Sequence, residues 1–142
     1  MKRQGAVCQN ERKEKMATFL EDLKSYLVSQ KIENVFRDML PDEPNNAVGL
    51  FLWSHSVPAI NYGAGARYVQ VQVRDMDWDA AYLLCWKIAG LLDSGENEEQ
   101  IHLTDKRWCI ARPRAMPRKL SVDERGRATY YYEVALIGDN TP

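Results

Sequence analysis

The sequence predicts an α+β fold, in which a mainly antiparallel sheet carries two helices packed on one of its faces, in the order α-β-β-β-α-β-β. Three observations predict it: two segments with apolar residues at helical spacing, strands with alternating apolar residues, and connections around the first hairpin that are too short for parallel crossovers. A chain of 142 residues buries enough surface to fold without disulfides or metals. We therefore predict a single α+β domain over residues 16–142, after a disordered, largely polar extension over residues 1–15.

The first helix is predicted over Met16–Gln30, because apolar residues recur there at helical spacing. Thr18 and Glu21 have the spacing of a capping box, which favours a helix start at this point. A short strand is predicted over Ile32–Met39. The dense turn signal Pro41-Asp42-Glu43-Pro44-Asn45-Asn46 ends it.

Two strands are predicted to pair as the first hairpin. Ala47–Trp53 is a nearly continuous apolar run, which is typical of a central strand covered on both faces. Tyr68–Arg74 alternates valines with polar residues and tyrosine. The loop between them, Ser56–Arg67, is predicted to be a long, mobile tip, and such loops often carry function on a rigid scaffold.

The second half of the chain contains one helix followed by strands. The helix is predicted over Asp77–Leu92, with an apolar stripe and acidic residues near its start. Short strands are predicted over Ile101–Leu103 and Trp108–Arg112, and an extended segment over Arg112–Lys119, where two prolines exclude helix. The last strand is predicted over Thr129–Ile137, which alternates between two faces.

Charge is unevenly placed along this second half. Residues 75–105 contain eight acidic residues and one lysine, a net charge of −7, and residues 106–127 contain eight basic and two acidic residues, a net charge of +6. One interpretation is two solvated faces whose charges cancel within the monomer. The other is an acidic face of one copy that meets a basic face of the next. The candidate interface residues of the second interpretation are Asp79, Glu96, Glu98, Arg112, Arg114, Arg118 and Lys119.

No catalytic motif stands out, and we expect no enzymatic activity, no cofactor and no metal site. His55 and His102 lie at strand ends without a nucleophile beside them in the sequence. Cys85 and Cys109 fall within a helical and a strand pattern, and we expect both thiols to be buried. The net charge of −1 argues against a general nucleic-acid binder, and no apolar run approaches the length of a membrane span.

The segment Met39–Phe51 (MLPDEPNNAVGLF) resembles a family of minor structural ("minor capsid") proteins from tailed phages of Gram-positive bacteria, in which a Pro-Asp-x-Pro-x-Asn turn leads into an apolar strand. Three later segments agree with that family: a Val-Gln-Val-Gln-Val-Arg strand, a helix ending in Leu-Leu-Asp, and Pro-x-x-Leu-x-x-Asp-Glu-x-Gly-Arg at residues 117–127. The resemblance covers about residues 18–138, and the family is similar to the tail-terminator proteins of long-tailed phages.

This resemblance implies a tail-terminator-like fold and a structural role in the virion, after assembly in the cytoplasm of the host bacterium. Tail terminators form a hexameric ring that stops growth of the tail tube and offers a surface to the head connector. The implied partners are therefore other copies of this chain, the major tail tube protein and the head–tail connector. Candidate residues for contact with the tube or a neighbouring copy are Tyr62, Gly63, Gly65 and Arg67 in the predicted loop.

Three other functions stay open at this stage. A head-completion or portal adaptor would bind the portal and leave the tail tube uncapped. A nucleic-acid-binding regulator would use the arginines of residues 112–119, whose guanidinium groups suit phosphates as well as carboxylates. A small enzyme would use His55 or His102. Specific binding of nucleic acid is not expected of a terminator, although the genome could pass through its ring.

Overall fold

The computed structural model of the chain describes residues 18–55 and 64–139; at positions 54, 55, 64 and 139 it describes the backbone alone. The predicted disordered extension and most of the predicted loop tip, residues 56–63, lie outside these ranges. The described elements, in chain order, are α1 (Phe19–Ser29), β1 (Val35–Arg37), β2 (Ala47–His55), β3 (Ala64–Asp75), α2 (Trp78–Leu91), β4 (Ile101–His102), β5 (Trp108–Val122) and β6 (Ala128–Asp139).

Six strands form one sheet in the order β1-β2-β3-β6-β5-β4. Every neighbouring pair is antiparallel except β1 and β2. The predicted α+β class and the mainly antiparallel sheet are therefore confirmed. The two-residue strand β4 lies within the predicted strand Ile101–Leu103, which the predicted order of elements did not count separately.

Both helices contribute to one core on one face of the sheet. Leu23 and Leu27 of α1 and Cys85 and Ile88 of α2 are fully buried there. They pack in the same cluster as the valines of β3 (Val69, Val71, Val73) and the alternate residues of β6 (Tyr132, Val134, Leu136). Within the described residues, neither helix is long and apolar enough to cross a bilayer.

The start of α1 agrees in part with the predicted capping box. The hydroxyl of Thr18 accepts a hydrogen bond from the backbone N–H of Glu21 at 3.3 Å, so Thr18 is the N-cap and the helix begins at Phe19. The Glu21 carboxylate lies 2.8 Å from Nε of Arg37. Glu21 therefore joins α1 to β1 through an ion pair.

The expectation that the strands around the first hairpin are all antiparallel is wrong for β1, which pairs with β2 in parallel. β1 has only three residues, about 10 Å of strand. A connection over residues 38–46 is long enough to return along so short a strand without a crossover helix. The predicted strand Ile32–Met39 is also too long, because Asn34 (φ 56°) and Asp38 (φ 59°) adopt left-handed backbone conformations on either side of β1.

β5 differs most from the prediction. It is a single strand of 15 residues that includes both the predicted short strand and the predicted extended segment. β4 pairs only with Trp108 and Cys109, so the outer edge of β5 after Arg112 has no partner strand among the described residues. Prolines are tolerated on such an edge because no ladder hydrogen bond is lost there. Shifts in register against β6 follow Pro113, Ala115 and Lys119.

Candidate functional site

The sheet face opposite the two described helices is rich in aromatic side chains. Trp53 on β2 is 56% exposed, and its ring lies 5.7 Å from the ring of Tyr68 on β3. Phe51 and Tyr131 lie on the same face and are half-buried. Aromatic residues are enriched at protein interfaces. We call this surface the open face.

Two arginines of β5 lie over tyrosines of the open face. The guanidinium of Arg114 is 4.7 Å from the ring centroid of Tyr68, and that of Arg118 is 5.7 Å from the ring of Tyr131. Both side chains are exposed. Among the described residues no carboxylate lies within ion-pair distance of either. Stacking on a tyrosine leaves the edge of a guanidinium available to a carboxylate of another molecule.

The other two predicted basic interface residues lie elsewhere. Lys119 places its ammonium 4.4 Å from the ring of Trp78, at the start of α2 on the opposite side of the sheet. Arg112 forms an ion pair with Glu98 of the same chain. The four bases therefore do not form a single basic face.

The predicted acidic residues are also divided. Asp79 is in the first turn of α2, whereas Glu96 and Glu98 follow its C-terminal end, about 20 Å further along. The acidic loop lies against β5, because Ser94 N–H donates to the Ala111 carbonyl at 2.9 Å and Ala111 N–H donates to Ser94 Oγ at 2.7 Å. The acidic and basic segments thus occupy the same side of the monomer.

The predicted contact loop is shorter than expected. Tyr62 and Gly63 lie outside the described residues. Gly65 and Arg67 belong to β3, so the prediction that they are loop residues is wrong. The Arg67 side chain is 1% exposed, and its guanidinium lies 4.3 Å from the ring of Phe19 in α1. As placed in the monomer, Arg67 packs inside the domain and does not reach the surface.

Two turns that are far apart in the sequence meet at one end of the sheet. Arg127 donates to the Asp42 carbonyl at 2.6 Å, and Arg125 pairs with the carboxylates of Asp42 and Glu43 at 2.8 Å each. Arg74 of β3 is 6% exposed, and burial, then the charge of Arg127, lower the pKa of its guanidinium. Residues 41–46 and 123–127 therefore form one unit, which we call the arginine clamp.

Asp123 is the clamp carboxylate that pairs with Arg127 from within the second turn. It accepts hydrogen bonds from the backbone N–H of Arg127 at 3.0 Å and from Nε of Arg127 at 2.7 Å. Desolvation opposes its charged form, but these hydrogen bonds outweigh it and hold the pKa of Asp123 below its ordinary value. The clamp contains both turn segments, Pro-Asp-Glu-Pro-Asn-Asn and Asp-Glu-Arg-Gly-Arg, on which the family resemblance rests.

Comparison with protein families matches residues 19–140 to the model of the bacteriophage tail terminator protein family. The chain belongs to this family. It is therefore a structural protein associated with the phage tail, a component of the virion, and one that interacts with other tail and head proteins. No curated protein matches the chain.

The structure of this tail terminator protein also exposes apolar side chains on α2 that were not singled out in the sequence. Trp78 and Trp86 are 41% exposed, Tyr82 is 39% exposed and Leu83 is 65% exposed. Tyr82 packs edge-on against Tyr130 of β6, with ring centroids 5.3 Å apart. The four-residue spacing of Trp78, Tyr82 and Trp86 was the available signal, because residues at that spacing share one side of a helix. This side flanks the buried stripe of α2.

The two cysteines of the described residues are unreactive in this terminator. Cys85 and Cys109 are fully buried, as predicted. Burial raises the pKa of each thiol to about 12, so neither forms a thiolate at neutral pH. The described residues contain no cluster of three or more His, Cys, Asp or Glu side chains suited to a metal ion.

Proposed function

We propose that copies of this protein close into a ring on the end of the tail tube, stop its growth and present a surface to the head connector. Membership of the tail terminator family supports this proposal most directly. Two features of the monomer agree with it: an aromatic sheet face that neither described helix covers, and exposed arginines on that face without a carboxylate partner in the described part of the chain. The ring is hexameric in this proposal, and it assembles in the cytoplasm of the infected bacterium.

A ring of identical subunits uses heterologous contacts, in which two different patches of each copy meet. Arg114 and Arg118 are suited to one of these patches, since they are exposed, lie four residues apart on β5 and are held over tyrosines. The sequence-based hypothesis pairs them with Asp79, Glu96 and Glu98 of a neighbour. Glu98 already pairs with Arg112 of its own chain, so its carboxylate is less available to a neighbouring copy.

The segment between β2 and β3 is our candidate for contact with the tail tube. It includes Tyr62 and Gly63, and it joins the two strands at the end of the sheet where Trp53 and Tyr68 stack. An aromatic surface next to a connecting segment would enlarge the contact with the tube protein.

Tail length is the measurement that tests the function. A phage that lacks this protein should produce tubes longer than wild type with a broad length distribution, because nothing stops their polymerisation. Finished tails of normal length beside unjoined heads would contradict capping and would favour the portal adaptor. A steeply salt-dependent shift of DNA by the purified protein would favour a nucleic-acid-binding role.

Charge reversal of Arg114 and Arg118 tests whether β5 takes part in the subunit contact. Arg114→Glu with Arg118→Glu should weaken the ring in native mass spectrometry, while Lys106→Glu, which reverses an exposed base outside the patch, should leave it intact. An unchanged assembly in the double variant would remove β5 from the subunit contact.

A further inference from the structure

We infer that, in the ring, the basic surface of β5 in one copy contacts the β1–β2 edge of the next copy, and not its acidic loop. The inference rests on the proposed ring and names the second of its two contact surfaces. By the β5 surface we mean the exposed side chains on both faces of this edge strand: Arg114, Met116, Arg118, Lys119 and Leu120. By the β1–β2 edge we mean Glu33, Asp38, Met39 and Leu52.

The acidic loop is poorly placed for this contact because it lies on the same side of the monomer as β5. Ser94 and Ala111 exchange two hydrogen bonds, and Glu98 pairs with Arg112. A closed ring needs two patches that face away from each other, so that each subunit has a neighbour on either side. The two charged segments of this chain are instead neighbours within one subunit.

The strand order places a different surface on the far side. β1 is the strand at the opposite end of the order from β5 and β4, and four strand spacings separate β1 from β5, about 19 Å. On its outer side, β2 pairs with β1 through three residues only. Among the described residues, the rest of that side of β2 has no partner strand. The β1–β2 edge and the β5 surface therefore lie toward opposite ends of the strand order.

Charge on the two surfaces is complementary. Arg114, Arg118 and Lys119 are exposed and have no carboxylate partner within the described ranges. Glu33 and Asp38 are exposed too, and neither forms an ion pair with a described residue. Opposite charges on facing surfaces fix the register of an assembly and exclude wrong pairings.

Both surfaces also contain exposed apolar side chains. Met116 and Leu120 of β5 are 44% and 48% exposed, and Met39 and Leu52 of the β1–β2 edge are 50% and 39% exposed. Apolar residues with charges around them are the usual composition of a protein interface. The contact is made by side chains, because Pro113 and Pro117 cannot donate to a continuous ladder between the two edges.

A charge exchange tests the pairing in the full-length protein. Glu33→Arg alone and Arg118→Glu alone should each raise the concentration needed for half assembly, roughly fivefold, in native mass spectrometry and analytical ultracentrifugation. The two substitutions in one chain should restore assembly, because every contact then has its charges exchanged. Glu33 is preferred to Asp38, whose left-handed backbone (φ 59°) disfavours most side chains.

The competing pairing has a matched test. Glu96→Arg combined with Arg118→Glu should stay as weak as Arg118→Glu alone, and Asp105→Arg, an exposed acid outside both surfaces, should leave the ring unchanged. Rescue by Glu96→Arg and not by Glu33→Arg would overturn the inference while leaving the ring intact. A wild-type protein that stays monomeric with and without tail tubes would instead overturn the proposed ring.

Crosslinking gives an independent measurement that does not depend on weakening the ring. In a Cys8→Ser background, copies with Lys119→Cys are mixed with copies with Glu33→Cys and treated with a short bis-maleimide; the native Cys85 and Cys109 are buried and do not compete. Crosslinked dimers should form in the mixture and not in either variant alone. Dimers that form instead with Glu96→Cys copies would contradict the inference.

Discussion

Arg127 donates from Nη1 to the carbonyl oxygen of Asp42 at 2.6 Å, and this contact joins turns that lie 85 positions apart in the sequence. Arg74, on the strand between them, donates to the carbonyl oxygens of Pro41 at 2.6 Å and Pro44 at 2.7 Å. The sequence segments that resemble the phage family are therefore bound to each other in the fold. These two turn segments therefore stabilise the domain itself.

Removal of Arg74 should destabilise the domain. Arg74→Met keeps much of the side-chain volume but removes the hydrogen bonds to three backbone carbonyls of residues 41–45, which should lower the free energy of unfolding by about 2–3 kcal/mol. Urea denaturation measures this loss. The control is Arg125→Met, whose exposed ion pairs should be worth less than about 1 kcal/mol. Equal losses in the two variants would contradict the role given to Arg74.

Acid should weaken the arginine clamp through Asp123. The unfolded-state pKa of an aspartate is about 3.9, and the folded-state pKa of Asp123 is lower. The stability contributed by its charge is therefore present above about pH 4 and is lost as the pH falls through the folded-state pKa.

Asp123→Asn is the variant that isolates this effect. It should be less stable than wild type at neutral pH, and the difference should shrink as the pH is lowered below about 4. Urea denaturation over a pH series provides the measurement. A difference that is constant with pH would show that the Asp123 charge does not contribute.

Gly49 should not tolerate a side chain. A Cβ at this position would lie 2.8 Å from the carbonyl oxygen of Met39 and 2.8 Å from the ring of Phe51. Gly49→Ala should therefore lower the free energy of unfolding by about 1–3 kcal/mol through overpacking. Gly90→Ala is the matched control: it lies in α2 with no atom within 4 Å of the added Cβ, and it should stabilise by about 0.5–1 kcal/mol. The opposite order of stability would contradict the packing described for β2.

The exposed side of α2 should matter for assembly and not for folding. Lys119 lies over Trp78, so this side is continuous with the β5 surface. Leu83 is 65% exposed, and Leu83→Ser should change the free energy of unfolding by no more than about 0.5 kcal/mol while weakening the ring. Val28→Ser, which alters an exposed apolar residue of α1, is the control and should affect neither property. Equal assembly of the two variants in native mass spectrometry would exclude α2 from the contact.

Much of the fold was predictable because local pattern and burial agree. The alternation of Val69, Val71 and Val73, the buried stripe of α2 and the Thr18 cap are all confirmed. The parallel pairing of β1 was missed because a three-residue strand leaves almost no periodic signal. The prediction divided β5 into a short strand and an extended segment, because Pro113 and Pro117 disfavour both a helix and a central strand. Only the strand order shows that these prolines lie on an edge strand, where they are tolerated.

The candidate site was less accessible to sequence reasoning, because charge along the chain does not show which side of the domain each residue occupies. Arg112 and Glu98 were assigned to opposing faces of neighbouring copies, and the structure joins them within one chain. The sequence predicts Arg67 in a loop, whereas in the structure its side chain is buried against the ring of Phe19. The β1–β2 edge had no charge run to draw attention to it, and it emerges only from the strand order.

Electron microscopy of tail tubes incubated with the purified protein tests the central claim most directly. Closed rings of one diameter should appear at one end of each tube, and capped tubes should stop elongating when more tube protein is added. Protein that remains monomeric, beside tubes that continue to grow at the same rate as without it, would contradict the account.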